Sequence, residues 1–243
     1  TTLFRSLQIN LSALKFAVYQ FDKMSISIDN FLKTIFLLSQ EKPGDVSRSL
    51  LASRLNVSSA AVTDMARKLA LRGLVDYSPY KDLTLSDEGR AEALKIIRKH
   101  RLWELFLHKI LDLDLKTVHE EAERLEHHSS DELMNHIDAF LGFPDFDPHG
   151  EPIPGRDGDL PVQIGLESLS AVEDNKDYVV SRLIVREPEI FDLFESYGIR
   201  PGVLIRNLRS FDFDRSMEVE IGDRRMILSE ELVQRIFVTI KDI

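Results

Sequence analysis

Apolar positions fall into two kinds of pattern along the chain, helical spacing and period-two alternation, and each predicts its own kind of element. From Asp29, Phe31, Leu32, Ile35, Phe36 and Leu38 recur at helical spacing until Pro43-Gly44 stops the run. Ser47 caps a short helix through Leu55, Asn56-Val57 makes a turn, and Ser58 or Ser59 caps a third helix from Ala60 to about Arg72. Val62, Met65, Ala66 and Leu69 form the inner face of that helix, and Gly73 ends it. Leu74–Tyr77 and Leu83–Leu85 then read as two short strands around the turn Ser78–Asp82, a β-hairpin.

Three helices are predicted next, from about Asp87 to Leu111, Leu115 to His128 and Asp131 to Leu141, the last closed by Gly142 and Pro144. Asp145–Pro161 is dense in Pro, Gly and Asp and reads as a linker. Beyond it, Val203/Ile205, Met217/Val219/Ile221, Met226/Leu228 and Ile236/Val238/Ile240 follow period two, as half-buried strands do. One short helix is expected among them, near Pro188–Tyr197. The order implies an α+β multidomain chain: an N-terminal extension (1–23), a winged helix-turn-helix (24–97), a helical module (98–144), a linker (145–161) and a small β-barrel or sandwich (162–243). Met24 opens a segment that itself looks like a start, so residues 1–23 are set apart from the functional argument.

Charge divides the chain in the same place as the pattern. The net charge is −10, yet residues 24–99 carry twelve Lys/Arg against nine Asp/Glu, and residues 100–243 carry sixteen against thirty-one. A mildly basic front can face phosphates, and an acidic, His-containing rear can face divalent cations. The absence of cysteine excludes disulfides, thiolate zinc sites and thiol catalysis, and fits a cytoplasmic protein. No apolar run is long enough to span a bilayer, so no membrane partner is expected.

Helix, turn, capped helix and hairpin is the order of a winged helix-turn-helix, whose second helix enters the major groove of double-stranded DNA. Ser58, Ser59, Ala60, Thr63, Asp64, Arg67 and Lys68 form the outer face of that helix. Small hydroxylic residues at its start permit close approach to base edges, and Arg48, Arg54, Arg72 and Lys81 are candidate backbone contacts. Asp64 is the awkward member, since phosphates repel a carboxylate unless it accepts from cytosine or pairs with a neighbour such as Lys68.

In the rear, His119, Glu123, Glu126 and His127 fall on one stripe of one helix, and His100 with Glu104 forms an i, i+4 pair on the helix before it. Imidazole with carboxylate suits Mn²⁺, Fe²⁺, Co²⁺, Ni²⁺ or Zn²⁺. A zinc-protease H-E-x-x-H is absent, because Glu123 stands where the second His would be, and no Glu-x-x-His pair suggests a di-iron bundle.

Arg98-Lys-His-Arg-Leu-Trp-Glu104, Val118-His-Glu-Glu-Ala-Glu-Arg-Leu-Glu-His127 followed by Ser130-Asp-Glu132, and Pro152-Ile-Pro154 together resemble the diphtheria toxin repressor family of iron- and manganese-dependent regulators. Gly198–Gly202 and Leu228–Leu232 look like signatures of its SH3-like, FeoA-like rear domain. The resemblance implies a homodimeric repressor binding operator DNA and two adjacent metal sites. One would use His100, Glu104 and His119, with Glu187 as the best-placed arm from the barrel and Ile190 where some relatives have a ligating Gln. The other would use Glu123, Glu126, His127 and the first-helix residue Asn30. Glu123 replaces the Cys of iron-type members and makes the donor set harder, which favours Mn²⁺ with Fe²⁺ as the rival; Zn²⁺, Co²⁺ or Ni²⁺ would bind in vitro. No enzymatic activity is expected. The alternative reading is a metalloenzyme, with Glu120 or Glu121 as general base, or a metal-buffering module.

Overall fold

Each front helix buries the apolar stripe that its sequence spacing provides. In the computed structural model, which describes residues 27–41, 46–78 and 82–240, helix α1 (residues 27–41) buries Phe31, Leu32, Ile35, Phe36 and Leu38. Helix α2 (Arg48–Arg54) is capped by the Ser47 hydroxyl, which accepts from the Leu50 N–H. Ser58 caps α3 (Ser59–Leu71) in the same way, accepting from the Ala61 N–H, and Val62, Ala66 and Leu69 face the core. Strands β1 (Val75–Asp76) and β2 (Thr84–Leu85) pair antiparallel, and a bridge between Val46 and Leu83 ties the segment ahead of α2 to the hairpin. Gly89 sits where the next helix starts against the hairpin. A Cβ there would lie 1.8 Å from the Leu74 carbonyl oxygen, so no larger residue fits without moving backbone.

Helix α4 (Asp87–Leu111) runs from the front unit, which reaches Ile97, into the rear unit, which begins at Arg98. In the rear unit α5 (Leu115–Leu125) and α6 (Asp131–Leu141) follow, capped by Asp114 and Ser130. Helix α5 ends at Leu125 where sequence periodicity carried it to His128. Ser129 accounts for the difference: its carbonyl accepts from Lys99 Nζ at 2.8 Å, its hydroxyl accepts from Trp103 Nε1 at 2.7 Å and donates to the Leu125 carbonyl. These bonds draw the backbone out of the helix and onto α4. Leu102, Met134, Ile137, Leu141 and Ile153 form the core of this module, each contributing roughly 1.5–3 kcal/mol of burial.

The segment read as a linker is a packed strap over its first half. Asp147, His149, Ile153 and Pro154 are buried, and the Pro152 and Pro154 carbonyls accept from Arg101 and Arg98. The Glu151 carboxylate is held by both Arg186 Nη atoms at 2.9 and 2.7 Å and by Arg101 at 3.2 Å. Only further on does it behave as a linker, with Val162 and Ile164 83% and 91% exposed.

The rear β-domain is one antiparallel six-stranded sheet in the order β3-β8-β4-β5-β6-β7. Its strands are β3 (Glu167–Ser168), β4 (Lys176–Leu183), β5 (Leu204–Ser210), β6 (Met217–Ile221), β7 (Arg224–Leu228) and β8 (Ile236–Ile240). Tyr178, Val180, Ile205, Val219, Leu228 and Val238 converge in one core with Phe191 and Phe194 of helix α7 (Pro188–Tyr197). The structure adds a four-residue helix α8 (Glu230–Val233) and the strands β3 and β4 to what period-two alternation marked. Strand β4 escapes that pattern because its pairing with β8 shifts register between Val180 and Arg182, so its alternation breaks in the middle. No helix among the described residues is long and apolar enough to cross a membrane.

Candidate metal centre and DNA-binding face

In the front unit, α3 offers Ser58, Ser59, Ala60, Asp64, Arg67 and Lys68 to solvent, with Thr63 half-buried and its hydroxyl donating to the Ser59 carbonyl. Asp64 accepts from Lys68 Nζ at 2.8 Å, one turn on, which removes the unpaired carboxylate from the face. Arg67 lies over the Tyr77 ring of the hairpin with 5.9 Å to its centroid, and Arg48 opens α2, half-exposed. Arg54 is paired with Glu41. Lys81 lies outside the described residues.

The rear unit brings two groups of donors together, with His100 in both. Donor atoms of His100, Glu104 and His119 lie within 4.8 Å of one another, as do those of His100, Glu123 and Glu126. His100 Nε2 is 3.0 Å from Glu104 Oε1, while its Nδ1 is 2.5 Å from Glu126 Oε2 and 3.7 Å from Glu123 Oε1. His119 Nδ1 reaches the same Glu104 oxygen at 2.9 Å. His127 stands beside the second group, its Nε2 3.4 Å from Glu126 Oε1. Helical spacing explains most of the arrangement: His100 and Glu104 share a face of α4, His119 and Glu123 share a face of α5, and Glu126 follows as the C-cap of α5.

His149, on the strap, approaches the first group through Glu104, although the sequence offers it no partner at helical spacing and reads it as a surface or helix-end histidine. Its Nε2 lies 3.9 Å from Glu104 Oε1, the residue is buried, and neither ring nitrogen has a hydrogen-bond partner. Unsatisfied polar atoms in a buried ring call for a ligand or a proton. Three imidazoles around one buried carboxylate therefore fit a borderline divalent ion such as those of the later first transition row.

Burial and neighbouring charge set the protonation of Glu104 and of the strap residues around it. Burial would raise the Glu104 carboxyl, but the charge and hydrogen bond of His100, with help from His119 and His149, hold it well below the usual carboxylate range. Burial depresses His149 below its ordinary 6.5, against the opposing pull of Glu104 and Glu151. Burial, together with the charges of Glu104 and Glu151, raises Asp147 well above the ordinary range, and Arg186 and Arg101 outweigh burial to lower Glu151. Folded His149 takes up its proton at lower pH than the unfolded chain does. Below about pH 6.5 the unfolded chain then binds more protons, so metal-free protein loses stability as pH falls through that window. Urea unfolding between pH 7 and pH 5 should show this slope, and His149→Phe should flatten it.

Sequence profiles for known domains match in three blocks: the iron dependent repressor N-terminal DNA binding domain over residues 23–83, the iron dependent repressor metal binding and dimerisation domain over 86–155, and the FeoA domain over 167–240. Over 182 residues the chain is 34% identical to the diphtheria toxin repressor of Corynebacterium efficiens, covering 71% of this chain and 78% of the relative. The chain belongs to the diphtheria toxin repressor family.

Among solved structures of this kind, a manganese-dependent transcriptional repressor in complex with manganese is 38% identical, covers 87% of this chain and 99% of its own, and gives a TM-score of 0.80. The structure of ScaR with bound Zn²⁺ is 30% identical, covering 88% and 99%, with a TM-score of 0.78. As a member of this metal-dependent repressor family, the chain carries a DNA-binding front, a helical metal-binding module and a FeoA-type β-domain. Two residues named by resemblance sit elsewhere than in the donor groups. Glu187 accepts from Arg235 Nη1 at 2.7 Å, and Ile190 packs against the β-domain core. Asn30, in the front unit, has a buried side-chain oxygen without a hydrogen-bond donor.

Proposed function

We infer that this family member is a homodimeric repressor whose operator affinity rises with divalent metal, in the service of manganese or iron homeostasis. The observation that carries the reading is the pair of donor groups meeting at His100, in a chain that also carries a basic-faced recognition helix. His100, Glu104, His119 and His149 would hold one ion, and Glu123, Glu126 and His127 a second, with Asn30 a further ligand by resemblance. A bound ion would supply positive charge that cross-links α4, α5 and the strap. The residues themselves do the rest: Glu104 provides the anionic oxygen, Trp103 and Lys99 hold the turn that carries Glu126 and His127, and Arg101 and Arg186 fix the strap that carries His149.

Oxygen-rich donors at Glu123 and Glu126 favour Mn²⁺ there, with Fe²⁺ the rival. Metal that binds the DNA-ready arrangement more tightly shifts the population toward it, and a two-fold dimer would set two α3 helices about 34–36 Å apart, one turn of the major groove. On α3 and its surroundings Ser58, Ser59, Ala60, Thr63, Arg67 and Lys68 are the proposed base and phosphate contacts, with Arg48 and Lys81, while Asp64 holds Lys68. Anisotropy titration of the full chain against DNA from upstream of its own gene tests this. Binding should be strong with Mn²⁺ or Fe²⁺ and weak with chelator. Equal affinity in both conditions would remove the sensor mechanism, and no binding under any metal would remove the DNA reading.

A further inference from the structure

Helix α7 of the β-domain meets the first donor group with an aromatic ring. Phe191 is buried, its ring centroid 5.2 Å from that of His119 and 5.3 Å from that of His149. One residue on, both carboxylate oxygens of Asp192 accept from Lys116 Nζ, at 3.1 and 3.0 Å, and Lys116 lies one turn ahead of His119 on α5. The two contacts fix α7 in register along α5. Glu187 is held by Arg235 and Ile190 turns to the core, so neither of these two positions brings a donor to this side of the group.

The rest of the group is already enclosed. Glu104 is 2% exposed and His100 and His149 are buried; His119, the most open member with 19% of its side chain accessible, is the one on which Phe191 rests. An ion held here would meet imidazoles and a carboxylate, with an apolar wall where water would otherwise complete the coordination. Divalent ions differ in how readily they give up water: a closed set of four protein donors suits Zn²⁺ and Co²⁺, whereas harder ions keep several waters.

We propose that Phe191 is a specificity-determining residue that closes the His100–Glu104–His119–His149 group against water and so ranks ions by their willingness to bind without it. This rests on the reading of that group as a divalent-metal site. The second group, richer in carboxylate and 38% exposed at the Glu123 side chain, carries no such bias toward dehydrated ions, so the two sites of one chain prefer different metals.

The test uses the full chain with Glu123→Gln and Glu126→Gln, so that the first group is titrated alone with MnCl₂ and CoCl₂. Competition gives the ratio of Co²⁺ to Mn²⁺ affinity, water-proton relaxation counts the waters on bound Mn²⁺, and thermal melts check the fold. Phe191→Ala should narrow the ratio by roughly tenfold and add water to bound Mn²⁺, and Phe191→Leu, which keeps apolar bulk, should fall between. If alanine unfolds the domain, leucine against wild type carries the same comparison. Unchanged ratio and water count in the Phe191 variants, with binding lost in His119→Ala, would overturn the seal and leave the site standing. Wild-type binding of both ions in His119→Ala and His149→Ala would instead remove the metal site, and the proposal with it.

Discussion

Glu104→Ala is expected to abolish the metal response of operator binding and to lower metal affinity at the first donor group by on the order of 100-fold or more. The carboxylate is 2% exposed and is met by His100 at 3.0 Å, His119 at 2.9 Å and His149 at 3.9 Å. It is the one anionic oxygen among three imidazoles, and its neighbours hold it ionised far below neutral pH. Removing it leaves ring nitrogens without their acceptor in a buried site, so metal-free stability should fall as well, by about 3 kcal/mol. Glu104→Gln separates the two effects, since it keeps the shape and one acceptor oxygen but loses the charge. Calorimetric titration with Mn²⁺ and Co²⁺, alongside urea unfolding of the apo-protein, reads both. Wild-type metal affinity in the alanine variant would show that Glu104 is only a structural acceptor.

The second large effect is expected at Gly150, one residue beyond His149. Its φ is +78°, a region that side chains disfavour, and a Cβ would lie 2.0 Å from the Ser181 carbonyl oxygen and 3.0 Å from the Arg182 Cα. The obstacle is the backbone of β4, which cannot swing aside as a flexible side chain would. Gly150→Ala should therefore push the strap off the sheet at a cost of about 3 kcal/mol or more, combining overpacking with left-handed strain. The Leu183 N–H to His149 carbonyl bond at 2.8 Å would be lost with it, and His149 would leave the donor group. Thermal unfolding and metal titration should fall together. A variant that melts like wild type would mean the strap accommodates the methyl.

Most of the helical architecture was legible in the sequence because local spacing determines it. His119 and Glu123 share a face of α5 for the same reason that Val118 and Ala122 share the buried one. The family strings made the two-group metal reading possible, and the α3 cap and the hairpin appeared where capping and turn chemistry put them. What escaped depends on contacts distant in sequence. The density of Pro, Gly and Asp in residues 145–161 reads as a linker, and nothing local tells that Arg98, Arg101 and Arg186 will satisfy its carbonyls and carboxylates. His149 was passed over for the same reason, since its counterpart Glu104 is on another element. Glu187 looked well placed along the chain, but the partner that holds it, Arg235, comes from the far end of the β-domain.

The turn after α5 gives this protein a built-in optical probe. Trp103, the chain's one tryptophan, follows the fold's grip on that turn through its indole N–H on Ser129, and packs edge-on against Phe106 at 5.8 Å. Indole emission is sensitive to such a bond, and Glu104 is the next residue along α4. Ion uptake can thus be followed by the colour of ultraviolet fluorescence in unlabelled, unmodified protein, with a signal that originates at the sensor and nowhere else in the chain.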